Sequence, residues 1–132
     1  MSQTQVSIMA SAIDDQASVI AIRGDLSLFA EHALMDAYQR ACGAVGDTDS
    51  RANRGAQRSP RAIILDMTQM EYMNSGGIGL LVTLLIRMNR LNQRLLAFGL
   101  SDHYQQIFAI TRLDEAISIY DTEAEALAAS RR

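Results

Sequence analysis

A serine followed by a cluster of glycines occupies the middle of this chain. Ser75 precedes Gly76, Gly77 and Gly79, and the cluster comes shortly after an apolar segment at 62–67. A serine at a strand-to-helix turn can accept a backbone N–H as a helix N-cap, and glycines let another chain approach the backbone closely. The pattern therefore suits either a structural cap with a tight turn or a surface on which another molecule docks.

The residues around this turn disfavour three enzymatic interpretations. A nucleophilic serine on a strand-to-helix elbow has a glycine two positions earlier, where this chain has Met73. A dinucleotide-binding turn follows the first strand and needs an acidic residue about twenty positions later, but residues 95–100 contain none. A phosphate loop and Schiff-base chemistry both require lysine, and all 12 basic residues are arginines. These three enzymatic interpretations are therefore disfavoured, and we expect no cofactor and no metal site.

The overall composition is that of a small globular domain. The chain has 132 residues, of which 48% are hydrophobic, and a net charge of −3. Without a broad cationic field, we expect no direct contact with nucleic acid. Residues 1–12 lack a signal-peptide pattern, no apolar run reaches the roughly 18 residues of a membrane span, and Cys42 has no second cysteine to pair with. We therefore expect a cytoplasmic protein without membrane insertion, and leave open whether it forms a homodimer.

Hydrophobic periodicity predicts an α/β fold. The predicted elements are strands at 6–13 and 18–22, a helix at 30–44, a strand at 62–67, a loop at 68–75, a helix at 76–92, a strand at 95–98, a helix capped by Ser101 and ending near 111, a strand at 116–120, and a helix that opens with the capping box of Thr122 and Glu125 and ends near 129. The order β-β-α-β-α-β-α-β-α predicts a mixed sheet of four to five strands, its later strands mainly parallel, covered by about four helices.

Two further segments stand out by their composition. Residues 46–60 are rich in Gly, Asp, Ser, Asn and Arg and almost devoid of apolar side chains, so we predict a flexible insertion there. Met67, Met70 and Met73 recur at a spacing of three, which fits either core filling around the third strand or a methionine-rich binding surface. We favour core filling.

The serine turn also carries a family resemblance. The run Met73-Asn74-Ser75-Gly76-Gly77-Ile78-Gly79 resembles the Met-Asp-Ser-Ser/Thr-Gly-Leu-Gly loop of STAS domains, specifically those of bacterial anti-sigma-factor antagonists. Residues 22–27, Ile-Arg-Gly-Asp-Leu-Ser, are similar to the family's Gly-Glu-Leu-Asp turn, and residues 98–127 contain segments similar to its closing strand and helix pattern. The resemblance covers nearly the whole chain and implies one STAS domain over 1–132, with 46–60 inserted.

The resemblance implies a non-enzymatic binding protein with a partner-switching mechanism. An unphosphorylated antagonist of this family binds an anti-sigma factor that is also a serine kinase, and so frees a sigma factor. Phosphorylation of the loop serine by that kinase ends the association, and a serine phosphatase restores it. By position the phosphoacceptor is Ser75. The implied partner-binding residues are Asp25, Ser27, Met73, Asn74, Ser75, Gly76, Gly77 and Ile78.

Two positions depart from the family pattern. Asn74 and Ser27 stand where the family usually has aspartates, so the same small surface carries less negative charge. The departures fit a differently tuned kinase site, or a constitutive STAS adaptor subunit of an ABC-type membrane transport complex that is never phosphorylated. A nucleotide-binding regulator is a third class. It is disfavoured because the sequence contains no lysine that could hold a nucleotide at the glycine turn.

Overall fold

A five-stranded mixed sheet forms the centre of the protein, as the sequence predicts. The computed structural model describes residues 7–13, 17–42 and 60–131. Within these residues the elements are β1 (Ser7–Ala12), β2 (Ala17–Leu26), α1 (Glu31–Ala41), β3 (Ala62–Met73), α2 (Ser75–Arg90), β4 (Arg94–Phe98), α3 (Asp102–Ile110), β5 (Ile117–Tyr120) and α4 (Glu123–Ser130), with 3-10 turns at Leu28–Ala30 and Leu113–Glu115. The strand order is β1-β2-β3-β4-β5. β1 pairs antiparallel with β2, and the remaining pairs are parallel.

Two hydrophobic layers cover the sheet. Because side chains alternate along a strand, Ile63 and Leu65 of β3 belong to one cluster, whereas Ala62 and Ile64 belong to the other. The first cluster takes in buried residues of α1, α2 and α3, and the second takes in Ala126 and Ala129 of α4. The first part of β3, residues 62–65, is therefore apolar on both faces because it is covered on both.

The third strand is longer than its apolar segment indicates. The prediction of a loop over 68–75 is wrong, because β3 continues to Met73 beside β2, which likewise continues to Leu26. Pairing with β4 ends at Asp66, so the outer part of β3 forms a two-stranded ribbon with β2. Polar residues such as Thr68 and Gln69 hid this extension, because the ribbon leaves one side exposed to solvent.

Two irregularities in this ribbon explain the methionine spacing. The register between β2 and β3 shifts once between Ala21 and Arg23 and once between Gly24 and Asp25, each time with one extra residue in β3. An extra residue reverses the alternation of a strand, so a spacing of three returns each methionine to the same face. Met67 and Met73 are buried in the core and Met70 packs against it, as expected for core filling.

Helix boundaries agree with the predictions at most caps. Ser101 caps α3, and Thr122 and Glu125 form the predicted capping box of α4.

The predicted end of α1 at residue 44 and all but the last residue of the predicted 46–60 insertion lie outside the described residues. Within the described residues, no helix is long and apolar enough to cross a membrane.

A buried polar cluster joins the residues on either side of 43–59. The Tyr38 hydroxyl donates to Gln93 Oε1, and Gln93 Nε2 donates to the Pro60 carbonyl at 2.9 Å and to the Cys42 sulfur at 3.6 Å. Burial, followed by the proximity of Cys42, raises the pKa of Tyr38 above its usual range, so the hydroxyl stays a donor. Gln93 thus links the end of α1 to the start of β3.

Replacing this glutamine is expected to destabilise the fold. Gln93→Ala removes the acceptor of Tyr38 and the donor to Pro60, and unsatisfied buried groups cost about 1–3 kcal/mol. Urea unfolding of Gln93→Ala and of the exposed control Gln106→Ala measures the difference. We expect the control to stay within about 0.5 kcal/mol of wild type, and equal stability of the two variants would contradict the structural role of Gln93.

Candidate functional site

Ser75 is the first residue of α2 and is exposed. The expectation that Ser75 itself caps the helix is wrong by one position, because the N-cap is Asn74, whose side-chain oxygen accepts the N–H of Gly77 at 3.0 Å. Asparagine is as good an N-cap as serine. Among the described residues the Ser75 hydroxyl has no hydrogen-bond partner, so it is available to another molecule.

The glycine after this cap allows α2 to contact the end of β2. The Asn74 N–H donates to the Leu26 carbonyl at 3.3 Å. A Cβ on Gly77 would lie 2.2 Å from that carbonyl oxygen and 2.9 Å from Met73 Cγ. The sequence interpretation assigned the close approach at this glycine to another molecule. In the structure Gly77 is buried, and the chain that approaches it is the protein's own β2.

The turn after β2 forms the other wall of the site. Ser27 caps the 3-10 turn Leu28–Ala30 by accepting the Phe29 N–H at 3.3 Å. A Cβ on Gly76 would lie 2.9 Å from the Leu28 nitrogen, so this turn rests against the first turn of α2. Both glycines are therefore needed for α2 to begin beside the end of β2.

The remaining predicted site residues are either partly exposed around Ser75 or buried in the core beneath it. Ser27, Gly76 and Ile78 are half-buried beside the exposed Asn74 and Ser75. Met73 is buried in the core, so it supports the surface from beneath. Asp25 is also half-buried, but strand alternation places it on the face of the ribbon opposite Leu26, which packs in the core with α2. The structure thus groups Ser27 with residues 73–78 and directs Asp25 away from α2.

Tyr104 of α3 is a site residue that the sequence interpretation missed. Its hydroxyl accepts the Met73 N–H at 2.9 Å in the interior, at the outer part of β3 where β4 no longer pairs. The tyrosine is 8% exposed and packs in the main core. Its position in an amphipathic helix predicts burial but not its hydroxyl's partner, which lies 31 residues away in sequence.

Among the residues described, no group of three or more His, Cys, Asp and Glu side chains lies close enough to hold a metal ion. The first turn of α2, which is described in full, contains no acidic residue. The partial positive charge of this helix N-terminus is therefore not offset within its own first turn.

Comparison with known proteins identifies the family. The STAS domain family matches residues 9–126. The chain belongs to the STAS family. Over 61 residues it is 36% identical to the anti-sigma-B factor antagonist of Listeria monocytogenes, a match that covers 46% of this chain and 54% of that protein. The match thus spans about half the length of this relative.

Two solved structures share the fold of this STAS domain. An anti-sigma factor antagonist from Mycobacterium paratuberculosis is 22% identical, with 97% of this chain and 96% of that chain covered and a TM-score of 0.69. The phosphorylated form of the Bacillus cell fate determinant SpoIIAA is 18% identical, with 92% and 97% covered and a TM-score of 0.61. At these identities the likeness establishes the fold alone.

Two glycines of α2 are expected to respond oppositely to alanine. Gly77→Ala places a methyl group against the Leu26 carbonyl and should lower the free energy of unfolding by about 1–3 kcal/mol. Gly79 has no neighbour within 4 Å of an added Cβ, so Gly79→Ala should raise it by about 0.5–1 kcal/mol. Urea unfolding of both variants checks the pair. Equal effects would show that α2 does not pack closely on β2.

Tyr104→Phe is expected to loosen the end of β3. The variant leaves the Met73 N–H unsatisfied in the interior, which costs about 1–3 kcal/mol. Hydrogen exchange at the Met73 amide should accelerate relative to the amides of β4. Tyr72→Phe, which removes a hydroxyl from a side chain that is 53% exposed, is the control. Unchanged Met73 exchange in Tyr104→Phe would contradict this anchoring role.

Proposed function

We propose that this STAS domain is an anti-sigma-factor antagonist controlled by phosphorylation of Ser75. In the unphosphorylated form it binds an anti-sigma factor with serine kinase activity, and it performs no catalysis itself. The name of the Listeria relative supports the antagonist role. The observation that carries the proposal is the exposed Ser75 hydroxyl at the start of α2, with no hydrogen-bond partner among the described residues.

The modification itself is a phosphoryl transfer from ATP. The Ser75 oxygen forms a bond to the γ-phosphorus, the bond from that phosphorus to the bridging oxygen breaks, the serine proton is released, and ADP leaves. A serine phosphatase hydrolyses the resulting ester and restores the hydroxyl. We place both partners and the STAS domain in the cytoplasm, where ATP is available.

Electrostatics indicate why a phosphate here would act on association rather than on folding. A phosphoserine carries about −1.5 to −2 charges at neutral pH. The N-terminus of α2 favours an anion, and its first turn has no acidic side chain to repel one. The domain therefore tolerates the phosphate, whereas a partner seated over the same turn must accommodate a new charge in a desolvated contact.

A charge at Ser75 is therefore expected to weaken the complex. Calorimetry with each purified kinase-type anti-sigma factor of the native host should give at least a tenfold lower affinity for Ser75→Asp than for wild type. Ser101→Asp is the matched control, because Ser101 is an exposed serine at the start of α3 and aspartate also caps helices well. We expect the control to bind as wild type does.

Mass spectrometry after incubation with the same factor and ATP should place a single phosphate on Ser75. Equal affinity of wild type and Ser75→Asp would remove the switch. Isolation of the protein from its host with transport ATPase or permease subunits, and with Ser75 unmodified, would favour the adaptor function instead.

A further inference from the structure

Two large apolar side chains stand exposed beside the candidate site. Leu28 and Phe29, here named the apolar pair, begin the 3-10 turn after β2 and are 61% and 97% exposed. Single surface hydrophobics are ordinary. Two consecutive ones at the edge of a concave surface are typical of contact sites. A groove of about 560 Å³ begins at the pair and continues along α1 and Arg87 of α2.

Leu28 of the apolar pair lies against Gly76, the residue that follows the proposed phosphoacceptor. A Cβ on Gly76 would lie 2.9 Å from the Leu28 nitrogen and 3.1 Å from Leu28 Cβ. Gly76 directly follows Ser75 in the chain. A molecule that covers Ser75 and Gly76 therefore also borders the turn that carries Leu28 and Phe29, although Phe29 and Ser75 are 46 positions apart in the sequence.

The backbone around Ser75 is fixed by hydrogen bonds of the folded domain. Asn74 donates its N–H to the Leu26 carbonyl, and its own carbonyl accepts the Ile78 N–H at 3.0 Å. The Asn74 side chain in addition caps Gly77. Binding Ser75 as an extended peptide would break these bonds and release α2 from β2. A kinase acting on this serine therefore recognises the folded surface, and the exposed apolar pair lies in the turn that packs against Gly76.

We propose that the apolar pair anchors the serine-kinase anti-sigma factor, with the Phe29 ring entering an apolar pocket of that partner. This inference rests on the proposed function and adds to it the determinant by which the partner selects this domain. A buried aromatic side chain at the centre of an interface is a common source of binding energy. The contact would bring Ser75 to the kinase active site with a single orientation.

The test compares two exposed apolar residues of similar accessibility. Phe29→Ala removes the anchor, and Ile110→Ala removes a side chain that is 81% exposed on α3. Neither change should alter the thermal midpoint by more than a few degrees, because both side chains are already in solvent. Calorimetry with the purified kinase-type anti-sigma factors of the native host should show about 30-fold weaker binding for Phe29→Ala and wild-type binding for Ile110→Ala.

Phosphorylation kinetics with ATP supply a second readout. Because Phe29 does not touch the reacting atoms, Phe29→Ala should raise KM for the STAS domain by about the same factor and leave kcat within twofold of wild type. A fall in kcat with unchanged KM would overturn the anchoring role.

The outcomes distinguish this inference from the proposed function. If wild type binds and is phosphorylated but Phe29→Ala behaves identically, the anchor is wrong and the switch stands. If wild type neither binds nor is phosphorylated, the proposed function fails and the anchor fails with it. A second copy of the chain is the other candidate for this surface, and analytical ultracentrifugation measures self-association. If Phe29→Ala changes self-association but not binding of the anti-sigma factor, the pair is a contact between copies of the chain and the proposal is overturned.

Discussion

The contact between the N-terminus of α2 and the end of β2 organises the candidate site. Gly77 lies so close to the Leu26 carbonyl that a side chain of any size would collide with it. The Asn74 N–H donates to the same carbonyl, and its side chain caps Gly77. These contacts together fix the direction in which α2 leaves the sheet. Ser75, between Asn74 and the two glycines that pack against β2 and the following turn, is exposed at the start of this helix.

The asparagine at the cap shows how a neutral residue can replace an acidic one in this loop. Asparagine and aspartate cap helices about equally well, because both offer a side-chain oxygen to the backbone N–H groups of the first turn. Asn74 therefore keeps the geometry of α2 and removes a charge next to Ser75. The helix N-terminus is then more receptive to a phosphate than it would be beside a carboxylate. If aspartate is usual at this position, as the sequence resemblance implies, Asn74 keeps the capping bond to Gly77 without placing a charge next to Ser75.

The two ends of β3 are held in place by different side chains. At its start, Gln93 joins Pro60 to Tyr38 by buried hydrogen bonds and to Cys42 by a partly buried one. At its end, Tyr104 secures Met73 next to the candidate site. A strand of 12 residues separates these ends by roughly 35–40 Å. Gln93 and Tyr104 therefore act at opposite ends of β3, and only the end held by Tyr104 adjoins Ser75.

The sequence by itself determined the fold class, the order of the elements, most helix caps and the position of the serine turn. These features follow from local causes: hydrophobic periodicity, cap chemistry and a short motif. Only the tertiary structure decided that β3 runs on to Met73, because that ribbon is stabilised by pairing with β2 and by a tyrosine 31 residues away, not by its own polar residues. Gly77 is a second example. Its motif indicated that something approaches the backbone closely, but only the fold shows that the approaching group is the Leu26 carbonyl. Contacts between residues distant in sequence leave no local periodicity, and for this reason only the tertiary structure places the exposed Leu28 against Gly76.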